Sequence, residues 1–324
     1  MRAIVCRELG PPEIHVIDEI PDPEVAPGDV LIDVHYAGVN FPDLLIMAGQ
    51  YQVRPDLPFT PGAEGAGIVS AVGRDVQSIQ VGSRVMFASV VGAFSDTVAV
   101  PAAQVTVLPD GIDLATGSVV ALAYGTSYHA LKQRARLRSG ESMLVLGAAG
   151  GVGIAAVGLG AAMGATVIAA ASTPAKRQFA LANGANTAFD YTDGDLRAQL
   201  KSVAPKGVDV VYDPVGGGYS EAAFRSLAWD GRHLVVGFTA GDIPALPLNL
   251  PLLKGASLVG VFWGAWVARF PDESQRNYRE MFDMISRGEL TIPAPKVYPA
   301  EAFAAALGEI GGRRVLGKVT LQFR

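Results

Sequence analysis

The stretch Val145-Leu-Gly-Ala-Ala-Gly-Gly-Val-Gly-Ile154 holds the residues whose types and spacing bear most directly on chemistry. An apolar run over 143–146 breaks at Gly147, and small residues resume at Ile154, which is the pattern of a strand, a tight turn and a helix. Glycines in such a turn let the backbone come close to a pyrophosphate, and the N–H groups at the helix start add donors and a favourable dipole. Read as G-x-G-x-x-G, the pattern falls on Ala148, Gly150 and Gly153, with alanine in the first place. A plain glycine-rich turn is the competing reading, but the context favours a dinucleotide. A helix over about 151–163, a C-cap at Gly164-Ala165 and a strand-like Thr166–Ala170 complete a βαβ unit of the right length.

The end of the second strand ordinarily carries an acidic residue for the adenosine ribose hydroxyls, about 20 residues past the glycines. Here it reads Ala169-Ala-Ala-Ser-Thr173, followed by Lys176 and Arg177, with no carboxylate. A hydroxyl and cations suit a 2′-phosphate, so the expected cofactor is NADPH rather than NADH. The solvated face of the next helix is the competing reading for both cations, and for Arg177 the preferred one.

Positioning that turn takes a parallel sheet. From about 120 to 262, strand-like runs at Thr187 to Asp190, Val208–Asp213, His233 to Phe238 and Ser257 to Phe262 follow the first two, mostly with helix-compatible stretches between them. That rhythm predicts an α/β doubly wound parallel sheet. The first 110 residues have a different texture: short apolar runs over 30–34, 67–72, 84–88 and 97–100, separated by Pro-Gly-Asp, Val-Gly-Arg-Asp and similar turns. They predict a barrel-like β domain, after which Asp113 is placed to N-cap a helix. The last segment mixes a polar helix over 274–287, an alanine-rich helix over 300–308 and a closing strand over 318–323, and is expected to return to the first domain. The expected division is 1–122, 123–263 and 264–324.

Composition narrows the function. The 324 residues are half apolar, enough for sizeable cores, and a net charge of −5 with no basic cluster argues against a nucleic-acid surface. Cys6 is the single cysteine, which excludes an intrachain disulfide framework and fits a reducing, cytoplasmic setting. Near the N-terminus Ala3-Ile4-Val5 is too short an apolar run for a signal peptide. Residues 142–175 carry no charge and are long enough to span a bilayer, but the glycine turn divides them into strand, helix and strand, so no membrane association is expected.

Taken together, Ala37-Gly-Val-Asn-Phe-Pro-Asp43, Pro61-Gly-Ala-Glu-Gly-Ala-Gly67, Ala148-Ala-Gly-Gly-Val-Gly153, Asp209-Val-Val-Tyr-Asp213 and Gly317-Lys-Val make the whole chain resemble the zinc-independent quinone oxidoreductases. These are the zeta-crystallin-like members of the medium-chain dehydrogenase/reductase superfamily. The resemblance implies a Rossmann cofactor domain with a GroES-like catalytic domain, and Ala148 is then the usual residue in its place. Zinc alcohol dehydrogenases of the superfamily have a Cys and a His where this chain has Asn40 and Ala63, which leaves Glu64 alone. One carboxylate is a poor zinc site, and His15, His35, His129 and His233 share no ligand spacing, so no metal is expected.

Without zinc to stabilise an alkoxide, the expected acceptor is one that spreads the incoming hydride's charge onto its own oxygen. A quinone is the first choice; an alkene reductase for acryloyl-CoA, 2-haloacrylate or enones is the alternative, and a non-enzymatic zeta-crystallin-like binding protein the remote one. The resemblance implies that Asn40 and Tyr51 line the substrate cleft and can hydrogen-bond the acceptor oxygen. It sets Thr126 near the nicotinamide carboxamide, Gly150, Gly151 and Val152 at the pyrophosphate, and Ser172, Lys176 and Tyr191 around the 2′-phosphate, with Arg313 a weaker candidate. Phe238, Thr239 and the backbone of Phe262, Trp263 and Gly264 border the ribose and nicotinamide. Loop and packing roles compete for Asn40, Tyr51 and Tyr191. The apolar run over 257–262 reads as an edge strand through which two copies would pair as a homodimer.

Overall fold

A computed structural model describes residues 1–324 and resolves them into two compact units, Met1–Leu122 with Pro293–Arg324, and Ala123–Ile292. In the first unit β1 (Arg2–Val5) and β2 (Val16–Glu19) form an antiparallel pair. The organising strand is β3 (Asp29–Val39), in which Val30, Ile32 and Val34 are buried in alternation, the period-2 pattern of a sheet with one face on a core. It pairs along one edge with β4 (Glu64–Val72), which continues to β5 (Arg84–Ala88). On the other edge its first half takes β6 (Thr97–Pro101), while β7 (Val105–Val107) closes against β5. Asp113 does cap the following turn, Leu114–Gly117: its carboxylate accepts from the Thr116 N–H at 2.8 Å.

The second unit is a six-stranded, all-parallel sheet: β8 (Ser142–Leu146), β9 (Thr166–Ala170), β10 (Thr187–Phe189), β11 (Val208–Asp213), β12 (Leu227–Val235) and β13 (Ser257–Gly260). The order β10-β9-β8-β11-β12-β13 reverses direction between β8 and β11. Residues 143–146 are fully buried, as a continuous apolar run is when helices cover both faces of a sheet. Two expectations need correcting here. The strand expected over 233–238 runs instead over Leu227–Val235: past it the successive N–H groups of Val236 and Gly237 both go to the Asp213 carbonyl, which breaks the ladder, and Thr239 and Ala240 then donate to the Pro214 and Val215 carbonyls. Residues 264–292 stay with this unit: Glu280 on helix Pro271–Ser286 accepts from the Tyr128 hydroxyl at 2.7 Å and pairs with Lys132.

The chain re-enters the first unit at Pro293 rather than at residue 264. There β14 (Lys296–Pro299) pairs parallel with β15 (Val319–Gln322), and β15 pairs with the second half of β3. Phe303 and Leu307 of helix Phe303–Gly311 join the core formed by Val30, Ile32, Phe87 and Leu321.

Candidate active site

In the parallel unit the glycine turn leaves the C-terminal end of β8 at the point where strand order reverses, the place where open α/β sheets bind ligands. Its glycines have separate reasons. Gly147 has φ +59, a left-handed conformation suited to glycine. At Gly153 an added Cβ would sit 2.2 Å from the Gly147 carbonyl oxygen, so helix Gly151–Ala162 reaches the turn only without a side chain there. Gly150 differs: an added Cβ would meet nothing nearer than the Gly147 oxygen at 3.5 Å. The protein's own packing does not require glycine at 150. It is the helix N-cap and supplies no side-chain cap, so the first-turn N–H groups of Gly151 and Val152 face outward as donors, which fits a pyrophosphate.

Neighbouring loops are tied to this turn. The Ser127 hydroxyl on helix Ala123–His129 lies 3.0 Å from the Val152 carbonyl and 2.9 Å from the Tyr212 hydroxyl. Thr126, half-buried beside it, is thereby held near the turn. Trp263 packs over Gly125, where a Cβ would come within 3.0 Å of its ring. Across the switch point the buried Asp213 carboxylate accepts from the Val215 N–H (2.9 Å), the Gly216 N–H (2.8 Å), the Ser220 hydroxyl (2.6 Å) and His233 Nε2 (3.1 Å). Burial alone would raise this carboxyl; the hydrogen bonds, led by His233, hold it below its ordinary range. The Pro214 carbonyl then accepts from both the N–H and the hydroxyl of Thr239, each at 3.1 Å, which fixes Phe238 and Thr239 beside the same loop.

At the end of β9 no carboxylate is present, and Ser172 precedes helix Pro174–Ala182, whose N-cap is Thr173. Lys176 stands in the first turn of that helix and is partly buried. Arg177 is committed elsewhere, to Asp190 at 2.7 Å and to the Ala171 carbonyl at 3.2 Å. Tyr191 follows β10, the neighbour of β9 in the sheet, and packs edge-on against Tyr219 with centroids 4.7 Å apart, a packing role. Gly264 and Phe262 flank Trp263 after β13, both exposed. Arg313 belongs to the other unit, on the turn after helix Phe303–Gly311.

The first unit contains a buried polar cluster that spacing alone did not single out. Glu64, Lys318, Asn40 and Asp43 are all buried. Lys318 Nζ donates to Glu64 Oε1 (2.8 Å), to the Val39 carbonyl (3.1 Å) and to Asn40 Oδ1. Asn40 Nδ2 donates to Glu64 Oε1 (2.9 Å) and, more weakly, to the Gly38 carbonyl (3.3 Å), while the Leu122 N–H donates to Glu64 Oε2 (2.8 Å). Gly38 makes room for this: a Cβ there would lie 2.4 Å from the Ser118 carbonyl and 2.7 Å from Glu64 Oε1. Asp43 accepts from the Asn40 N–H at 2.7 Å, but its Oδ1 has no partner. Burial pushes the Asp43 carboxyl up to about 7, against the pull of the Asn40 N–H and the Lys318 charge. Burial, then Asp43, also raises the nearby Tyr51 hydroxyl. The signal for Lys318 was available: a buried Glu64 needs a cation, and Gly317-Lys-Val is the closing motif.

A dinucleotide turn at the switch point of a doubly wound sheet, carried in one chain with a GroES-like β unit, defines a medium-chain oxidoreductase. Residues 26–110 match the alcohol dehydrogenase GroES-like domain and residues 151–287 the zinc-binding dehydrogenase family. The chain belongs to the quinone oxidoreductase family of the medium-chain dehydrogenase/reductase superfamily. It is 34% identical to rat quinone oxidoreductase-like protein 2, over 100% of this chain and 92% of that one. It is 33% identical to pig quinone oxidoreductase, over 99% and 97% of the two chains. The Escherichia coli quinone oxidoreductase complexed with NADPH superposes with a TM-score of 0.92 at 28% identity, covering 99% of this chain and 100% of that one. Although one matching family is described as zinc-binding, both Glu64 oxygens here accept hydrogen bonds from the protein, and no three His, Cys, Asp or Glu side chains come together.

Proposed function

We propose that the protein is an NADPH-dependent, metal-free reductase of quinones or related electrophilic acceptors. The observation that carries this reading is the Ala148–Gly153 turn at the sheet's switch point, with Ser172 in the loop after the next strand and Lys176 in the first turn of the helix that follows, where an acidic residue would otherwise stand. The NADPH complex of the E. coli relative supports it. When bound, NADPH supplies a hydride. Gly150, whose own N–H is donated to the Gly147 carbonyl, lets the pyrophosphate approach, Gly151 and Val152 would hold it through backbone N–H groups, and Ser172, Lys176 and Tyr191 would hold the 2′-phosphate. Thr126 orients the carboxamide, while Phe238, Thr239 and the backbone of Phe262, Trp263 and Gly264 border the ribose and nicotinamide; Arg313 is the weakest member of the set.

On the acceptor side Tyr51 and Asn40 donate to the oxygen on which negative charge develops. Tyr51 keeps its proton at neutral pH, because burial and then Asp43 raise its hydroxyl. Asn40 would give up only its long contact with the Gly38 carbonyl. The deciding experiment follows NADPH consumption, with NADH as control, against matched ortho- and para-quinones, enones, 2-haloacrylate and acryloyl-CoA. Quinone-dependent turnover supports the reading, turnover confined to the alkenes makes the protein an alkene reductase, and NADPH binding without turnover makes it a binding protein.

We further propose a homodimer formed through β13. That strand is the sheet's edge, and around it Trp229, Leu252, Leu258 and Phe262 are 78%, 80%, 51% and 60% exposed, an apolar surface that an isolated chain would leave wet. Pairing of two copies there makes a twelve-stranded sheet. A cytoplasmic setting is supported by the single cysteine, Cys6, which is buried with its thiol pushed up to about 12 by burial. No helix is long and apolar enough to cross a membrane.

A further inference from the structure

The three side chains that meet at Asn40 come from distant parts of the chain: the end of β3, the start of β4 and the residue before β15. Lys318 is 5% exposed and Glu64 fully buried, so this ion pair is shielded from solvent. Burying two charges is costly, and an apolar pair of similar volume would serve packing at least as well. Its geometry suggests a specific use. With the ammonium on Oδ1 and the carboxylate on Nδ2, the Asn40 amide can adopt only one of its two flip states. One amide hydrogen is locked onto Glu64, and the other rests on the 3.3 Å contact with Gly38, the weakest bond of the group. A cation on the amide oxygen also draws electron density from the nitrogen and strengthens the remaining N–H as a donor.

We propose that Lys318 is a positioning residue of the acceptor site, whose ammonium fixes and polarises the Asn40 amide so that its second hydrogen is presented to the acceptor oxygen. This rests on the reading of Asn40 as an acceptor-side donor. Lys318 itself touches no substrate, and Glu64 holds the other end of the amide. Lys318 thus sets a cation on the far side of the Asn40 amide from the acceptor oxygen, while Glu64 balances its charge and fixes the amide's orientation.

The test is a double-mutant cycle of Asn40→Ala and Lys318→Met with a para-quinone as acceptor, checked by thermal unfolding and by NADPH affinity. Each single variant is expected to lose about tenfold in kcat with the quinone KM changed less than about twofold, the signature of an interaction made in the transition state. The double variant is expected to be no slower than Asn40→Ala, since Lys318 has nothing left to position. Lys318→Gln, a shorter neutral donor, covers the case in which Lys318→Met does not fold, and is expected to recover part of the rate. Full activity in Lys318→Met beside a slow Asn40→Ala overturns the proposal and leaves the Asn40 reading intact. Full activity in Asn40→Ala overturns both. Losses that multiply in the double variant show that Lys318 acts independently of Asn40, and also overturn it.

Discussion

Lys176 stands in the first turn of helix Pro174–Ala182, where a cation opposes the helix dipole, so helix stability gives no reason for it. The 2′-phosphate of the proposed cofactor would supply one. Lys176→Ala is expected to raise the NADPH dissociation constant about tenfold and leave that of NADH unchanged in a fluorescence titration; equal effects on both would refute its role. Tyr51→Phe is expected to slow quinone turnover only modestly, about tenfold, since removal of one donor to a delocalised anion is a limited loss; abolition of turnover would show that a mandatory proton donor had been removed. Asp43 makes a pH prediction. Its folded carboxyl titrates near 7, above its ordinary 3.8, so the folded state holds the proton more tightly and stability falls as pH rises from about 4 to 7. Asp43→Asn keeps an acceptor for the Asn40 N–H and is expected to unfold at a higher temperature than the parent at pH 8, with the difference gone at pH 4. Asp43 is tied to Asn40 locally, as the third residue of a capping box at the start of helix Phe41–Met47, whereas Lys318 lies 278 residues away and meets Asn40 only when β15 pairs with β3.

At the scale of elements, the βαβ unit was legible because its signals are local: an apolar run, a glycine turn, small residues at helical spacing and a second apolar run. The close approach that Gly153 permits was part of that fingerprint, and Gly153→Ala is expected to lower the unfolding temperature by several degrees and weaken NADPH binding, since the methyl would have to displace the Gly147 carbonyl. Unchanged unfolding would mean that the turn relaxes freely. The end of β12 was not legible. Val235-Val-Gly-Phe238 reads as strand by composition, yet the N–H groups of Val236 and Gly237 both turn to the Asp213 carbonyl, a tertiary competition that no local pattern carries. The cluster of Asp213, Ser220 and His233 that holds the β11 loop escaped for the same reason, since Ser220 and His233 reach the carboxylate from different elements.

On the whole molecule, the first division at 122 coincides with a change of texture that composition displays. The return at Pro293 does not, because helix Pro271–Ser286 is as polar as a linker and its allegiance is decided by Tyr128, Lys132 and Gln133. The proposed dimer belongs to this scale. Light scattering at micromolar concentration is expected to give twice the 33.7 kDa chain mass, and Leu252→Lys with Leu258→Lys is expected to halve it; a parent protein already monomeric would end the proposal. The most direct test of the central claim is the ratio of kcat/KM for NADPH to that for NADH with one para-quinone under saturating acceptor. A cofactor site built on the glycine turn with Ser172 and Lys176 at the second strand's end predicts a ratio of about tenfold or more in favour of NADPH. Equal use of the two cofactors, or no quinone-dependent oxidation of either, would contradict it.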